Sequence, residues 1–262
     1  MDRGAAMVND AWQRFDDELA RWRDAGREVQ FWWRDDDAAQ WTPALARLVG
    51  LAQRCDIPLA LAVVPAGAEA ALFAPLGDGV CVLQHGVDHR DRGGAGEKRT
   101  EFTAQEPPAE ALARIAAAGA RLAARAGARW SAAFAPPWNR LPQALVARLP
   151  EAGLRGLSQF GPRARARPAP GLVQVNTHVD LIAWRGERGF VGEQAALEQA
   201  LRHLAARRSG RADADEPTGW LTHHRQHDAA TWRFLERLFE RTRENGALRW
   251  LHARTLFAPQ TA

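Results

Sequence analysis

The stretch Val29-Gln30-Phe31-Trp32-Trp33-Arg34-Asp35-Asp36-Asp37-Ala38 runs from apolar residues straight into three consecutive carboxylates. The run 29–33 is the pattern of a strand buried on both faces of a parallel sheet. Three adjacent carboxylates repel one another and resist desolvation unless a cation is near. At the end of a strand they read either as a turn carrying a helix cap, or as a metal ligand beside a general base.

Outward from this stretch, similar apolar runs recur at 58–64, 80–83, 130–135, 154–160, 172–175, 219–222 and 247–251. Between them lie Ala-rich amphipathic stretches that predict helices near 9–25, 42–54, 66–75, 107–126, 141–149, 191–208 and 228–244. Thr42-Pro43 is an N-cap followed by a first-turn proline, and Asn245-Gly246 is a helix stop. Strand–helix alternation of this kind implies an α/β fold with a parallel sheet, either open or closed into a barrel. No Gly-rich phosphate loop follows any strand, which argues against an open nucleotide-binding sheet. The 262 residues suit one domain, 1–262, with an N-terminal helical segment (1–27) ahead of the sheet.

Composition excludes several classes. At 46% hydrophobic and 25% charged residues the chain is neither disordered nor fibrous. The net charge is +4 and the arginines are scattered, so no basic stripe for nucleic acid is visible. The densest group, Arg163, Arg165 and Arg167 in a Pro-rich loop, reads as solvated surface. Cys55 and Cys81 sit in or beside apolar runs and read as buried thiols in a reducing compartment. No signal-peptide core and no membrane-spanning run is present, so the expected location is cytoplasmic.

The chemistry gathers where strands end, the place a β/α fold puts catalytic groups. Six of the eight His lie there: His85, His89, His178, His223, His224 and His227; His203 and His252 read as ordinary helix and tail positions. His85 and His89, four apart, share one face if their segment is helical. Pro136-Pro137-Trp138 is a rigid aromatic corner suited to stacking on a sugar ring, or to a hydrophobic lid. Asp180 and Trp184 follow the sixth run. An Asp with two or three His is the donor set of a hydrolytic zinc site. The segment 91–102 after the His pair reads as a mobile lid or a surface excursion.

In order and spacing these residues resemble the NodB-homology polysaccharide deacetylases, over about residues 29–225. The resemblance implies a distorted (β/α)7-type barrel. It implies Asp36 as general base, Asp37, His85 and His89 as ligands of a divalent metal (Zn²⁺ first), and His223 as general acid. Asp35/Asp36 and His224 are the alternative registers for the first and last of these. Pro137, Trp138, Asp180, Trp184 and His224 would line the substrate. The implied reaction is hydrolysis of an N-acyl group, N-acetyl first, on a sugar or glycan precursor. A metal-activated water would attack the amide, with the Trp138 backbone N–H assisting at the oxyanion. The alternative is a metal- and carbohydrate-binding protein without turnover. Four family positions differ: Gly86 stands for a Ser or Thr, Trp138 for a Tyr, Ala135 for an Arg, and Ala183 for an Asp. The last two work on the catalytic base in the family, and Arg34 or Asp180 are the replacements at hand.

Overall fold

The computed structural model describes residues 3–186 and 188–258. Helix α1 (Arg3–Asp24) precedes β1 (Val29–Ala38), α2 (Pro43–Cys55), β2 (Leu59–Val63), β3 (Val80–His85), α3 (Pro108–Ala126) and β4 (Trp130–Ala135). Then follow α4 (Gln143–Val146), β5 (Gly156–Leu157), β6 (Val173–Gln174), β7 (Val179–Asp180), β8 (Ile182–Ala183) and β9 (Gly189–Phe190). The chain continues through α5 (Glu193–Arg208), β10 (Thr218–Thr222), α6 (Ala229–Arg243), β11 (Leu248–Trp250) and α7 (Ala253–Leu256).

The strands pair in the order β6-β5-β4-β3-β2-β1-β10-β7, all in parallel, with β11 added on β1. Residues 175–178 join β6 to β7 directly, and Thr177 bridges Phe160 on the way. One extended segment therefore pairs with β5 at its start and β10 at its finish. That segment closes the ring at seven staves, a distorted (β/α)7 barrel in one domain.

The outer face of the ring carries the large core. Phe31, Trp33, Leu59, Leu61, Val63, Val80, Val82 and Trp220 pack there against α1, α2, α5 and α6. The inner face is lined by Ala60, Ala62, Cys81, Leu83, Ala133, Ala135 and Val175 around Trp32, with Phe257 against Trp32 at 6.0 Å. Small residues on that face leave room for a long side chain from β1. Gly219 is needed for the same reason, since a Cβ there would stand 2.4 Å from Trp32 Nε1. The Trp32 N–H goes to the Asn176 carbonyl (3.0 Å). Both cysteines are free and buried, and burial pushes the Cys81 thiol up to about 12.

Most expected elements are present, with three differences. The acidic triplet belongs to β1 itself, because Arg34 and Asp35 pair with Leu221 and Thr222 of β10. The helix expected at 66–75 is two short 3₁₀ turns, Pro65–Gly67 and Ala70–Leu72; Pro65, Gly67 and Pro75 leave no uninterrupted helical run. The stretch 141–149 forms only one α-turn before a 3₁₀ turn at Leu149–Ala152, where Pro150 has no N–H to continue it. The Thr42 cap forms, its Oγ1 accepting from Leu45 N–H (3.2 Å). Near the other predicted stop, α6 ends at Arg243, and Asn245 Oδ1 accepts the Ala247 N–H (3.0 Å). Arg163 is not solvated surface: it bonds Asp213 (2.8 Å) and the Gln174 carbonyl (2.7 Å). No described helix is long and apolar enough to cross a membrane.

Candidate metal centre and active site

Alternation along β1 sends Trp32, Arg34 and Asp36 into the barrel, and Trp33 and Asp35 outward. A bulge then breaks the alternation. Asp35 is opposite Leu61 and Ala38 opposite Val63, so Asp36 and Asp37 together face Ala62. Asp37 takes φ +69°, a left-handed conformation that Asp tolerates better than most residues. The consequence is that the three acids point in three directions and do three different things.

Asp35 is fully buried on the outer side. It accepts from Thr222 Oγ1 (2.7 Å), the His224 N–H (2.9 Å) and His224 Nδ1 (2.5 Å). Burial raises its carboxyl, but the charge and hydrogen bond of His224 outweigh it and hold the group below its ordinary value. This pair ties the end of β1 to the residues after β10. His224 is buried with Asp35 as its partner, behind the wall that the sequence reading assigned it to.

Asp36 is buried beside Arg34, itself fully enclosed. Arg34 Nη2 donates to Asp36 Oδ2 (3.0 Å) and to Asn139 Oδ1 (2.9 Å); Nη1 donates to the Ser158 carbonyl (3.0 Å) and hydroxyl (2.6 Å). Arg34 Nε also lies 2.8 Å from Asp36 Oδ1, so the guanidinium faces both carboxylate oxygens. The guanidinium fixes the position of this carboxylate. Ala135 is fully buried and Ala183 half-buried, and no charge is stranded by either.

Asp37 Oδ1 is 3.2 Å from Nε2 of both His85 and His89. Burial raises Asp37, but the two imidazoles overcome it and drive the carboxyl far below the ordinary range. Burial lowers His85, yet the Asp36 and Asp37 carboxylates more than offset it and raise the ring. His85 Nδ1 is 2.9 Å from the Ala135 carbonyl; as an Nδ1–H donor it leaves Nε2 with a free lone pair. The set is one carboxylate and two imidazole nitrogens converging on a point, which fits a divalent ion of the Zn²⁺ kind. The His pair is not on a helix. Gly86 (φ +61°) and His89 (φ +55°) turn the chain sharply after β3.

The same turn encloses Glu101. Its Oε1 accepts from Val87 and Asp88 N–H (2.9 and 3.0 Å), and its Oε2 from His89 N–H (3.2 Å). Burial pushes its carboxyl up against the pull of those donors. Segment 91–102 is thus anchored at its end: Phe102 is buried against Phe134 (5.8 Å).

Around the cluster of Asp37, His85 and His89, Trp138 packs on His89 at 4.5 Å between ring centroids, and Trp184 on His223 at 4.6 Å, edge to face. Trp138 and Asn139 both hold positive φ (54° and 56°), a strained corner that aims the indole at His89 and the amide at Arg34. Pro137 is buried beneath it against Gly86. Trp184 is 42% exposed and donates from Nε1 to Asp180 Oδ2 (2.8 Å). Burial raises the Asp180 carboxyl, and the His223 charge opposes this. His223 is nearly buried and its Nδ1 has no hydrogen-bond partner.

A second group, His178, His203 and Glu216, lies where residues 175–178 cross the start of β10. The rings stack at 3.4 Å and 12°, and His178 Nε2 is 3.3 Å from Glu216 Oε2. His178 Nδ1 accepts the Gly219 N–H (3.0 Å), so the neutral ring must carry its proton on Nε2. An Nε2–H cannot ligate a cation, and the group does not fit a metal. His203, expected to be an ordinary helix residue, and His178, expected at a strand exit, are core residues here. Burial lowers them to about 2 and about 3.

Sequence reasoning placed Asp36, Asp37, His85, His89 and His223 at the site. It missed Asn139, Ser158 and Glu101. The spacing of Arg34 and Asp36, two apart on a strand, was the available signal for their pairing. Glu101 carried no local signal at all.

No protein-family profile and no curated protein sequence matches the chain. Its fold is that of the polysaccharide deacetylases. A protein from Mycobacterium smegmatis described as a polysaccharide deacetylase superposes with TM-score 0.60 at 14% identity, over 90% of this chain and 94% of the other. A peptidoglycan N-acetylglucosamine deacetylase gives 0.57 at 10% identity, over 89% and 90%. A deacetylase determined with substrate gives 0.53 at 16% identity, over 89% and 92%.

Proposed function

We propose that this protein is a metal-dependent hydrolase that removes an N-acyl group, N-acetyl first, from a sugar or glycan precursor. The observation that carries the reading is the convergence of Asp37, His85 and His89 beside Asp36. The fold it shares with deacetylases of acetylated glycans supports the choice of substrate.

Asp37, His85 and His89 would hold the ion, with Zn²⁺ the first candidate for an O,N,N donor set. A divalent ion there supplies Lewis acidity, lowering the pKa of water and polarising the acyl carbonyl. Asp36 takes a proton from the attacking water. Arg34 pairs with that carboxylate and holds it in place, the task that the Arg and Asp replaced by Ala135 and Ala183 perform in the resembled family. His223 delivers a proton to the departing amine, so that amide and water become carboxylate and amino sugar. The Trp138 N–H would donate to the oxygen that gains charge. Trp138 and Trp184 form the two aromatic walls for ring and acyl group, and Asp180 fixes the Trp184 indole.

The reading is tested by metal analysis of the purified protein and of His85→Ala, followed by turnover on N-acetylated sugars and oligosaccharides. About one equivalent in the wild type, lost in the variant, with acetate release, is the expected result. A wild type that binds zinc and sugar yet releases no acetate from any acylated sugar would instead establish the binding-only alternative.

A further inference from the structure

We propose that Glu101 is the positioning residue of the metal centre: its buried carboxylate is the template on which the loop carrying His89 is wound. The inference rests on the metal reading above and concerns what holds the third ligand.

Three successive N–H groups, from Val87, Asp88 and His89, converge on the two oxygens of one fully buried carboxylate. Backbone donors arranged this way form an anion-binding concavity, and here the anion is part of the chain. The donor nearest the site is the amide of His89 itself. Its bond to Oε2 therefore fixes the backbone from which the imidazole reaches Asp37. His89 stands at φ +55°, a conformation that a non-Gly residue does not hold without support.

Gly86 explains why the carboxylate fits. A Cβ at that position would lie 2.0 Å from Glu101 Oε2 and 2.6 Å from Pro137 Cγ. The space next to His85 is occupied by Glu101, so any side chain at 86 would expel it. Gly86 and Glu101 are two halves of one device. The segment 91–102 delivers the second half: Arg92 clasps Asp88 through both carboxylate oxygens (2.8 and 2.7 Å), and Asp91 Oδ1 caps the Gly93 and Thr100 N–H groups (3.0 and 3.1 Å). Phe102 pins the far end in the core. The segment is therefore a surface excursion, mostly exposed along 91–99, whose two ends clamp the ligand loop.

The test is zinc affinity of the EDTA-stripped full chain, by calorimetry, for the wild type, Glu101→Gln and Glu101→Asp. Gln presents an amide N–H₂ where a backbone N–H must be accepted, and Asp keeps the charge but falls short of the loop. Loss of a group supporting a ligand costs about 10–100-fold in metal affinity. We expect that loss in Glu101→Gln and a smaller one in Glu101→Asp, in protein whose circular dichroism shows it folded. The visible bands of the Co²⁺-loaded variants should also shift, because they report ligand geometry at the ion and a merely stabilising residue would leave them alone. If Glu101→Gln does not fold, Glu101→Asp carries the test. Wild-type zinc affinity and an unchanged Co²⁺ spectrum in a folded variant would overturn the inference while leaving the proposed reaction intact. Tight zinc binding that depends on Glu101, with no turnover of any acylated sugar, would do the reverse. A wild type that takes up no zinc would end both.

Discussion

Replacing Arg34 by Met leaves the aliphatic stem in the barrel and removes only the guanidinium. The structure shows what is then exposed to penalty. Asp36 loses its counter-ion in a position that water barely reaches, and the Ser158 and Asn139 oxygens lose their donors. Removing one member of a buried ion pair costs about 3–5 kcal/mol, because a charge is left uncompensated. For a chain of this size each kcal/mol moves the melting temperature by about 2–4 °C, so a fall of roughly 6–20 °C is expected. The measurement is urea and thermal unfolding of the metal-free protein by circular dichroism, for Arg34→Met, Asp36→Asn and the double variant. Asp36→Asn removes the charge that Arg34 was balancing, so the double variant should be less destabilised than the sum by about 0.5–3 kcal/mol. The folded fraction of Arg34→Met should still bind zinc, since Asp37, His85 and His89 do not touch Arg34, but should lose turnover. A destabilisation below about 1 kcal/mol, the range of an exposed pair, would refute the reasoning. So would strict additivity in the double variant.

Other expectations follow from the same geometry. Asp36→Asn and His223→Ala should each retain metal and lose about 10²–10⁴-fold in turnover, the usual worth of a general base or acid; normal rates in either would displace it from its role. His224→Ala should lower the melting temperature, because Asp35 is stranded; if its loss is in turnover alone, at unchanged stability, His224 is the acid and His223 is not. His203→Leu should keep the full metal content, and loss of metal there would show that the His178 ring carries its proton on the other nitrogen. Burial holds His178 near 3 and His203 near 2, against an ordinary 6.5. Below pH 6.5 the unfolded chain takes up protons that the folded chain refuses, so this stability is fully present above 6.5 and is lost as pH falls. Each ring contributes a slope of about 1.4 kcal/mol per pH unit in that window. Urea midpoints between pH 7.5 and 5.5 should therefore fall less steeply for His203→Leu than for the wild type, and equal slopes would remove the ring from the account.

The sequence alone determined the alternating strands and helices, the parallel sheet, and the gathering of Asp and His where strands end. These are consequences of local periodicity and of the cost of packing charges without a reason, and both are written residue by residue. The resemblance also pointed to Asp37, His85 and His89, which converge in space, and to Asp36 and His223, whose roles stand as proposals. Tertiary structure decided what periodicity cannot express. The ring closes because one segment, 173–180, changes partner from β5 to β10 along its length. The three acids separate because a bulge opposite Ala62 turns them in three directions, giving Asp35 to His224, Asp36 to Arg34 and Asp37 to the histidines. Asn139 and Ser158 reach Arg34 from 105 and 124 residues away, and Glu101 reaches the His89 amide across a 12-residue excursion. Contacts at such separations depend on where folding brings the chain back, and a hydrogen bond reads distance in space rather than along the sequence.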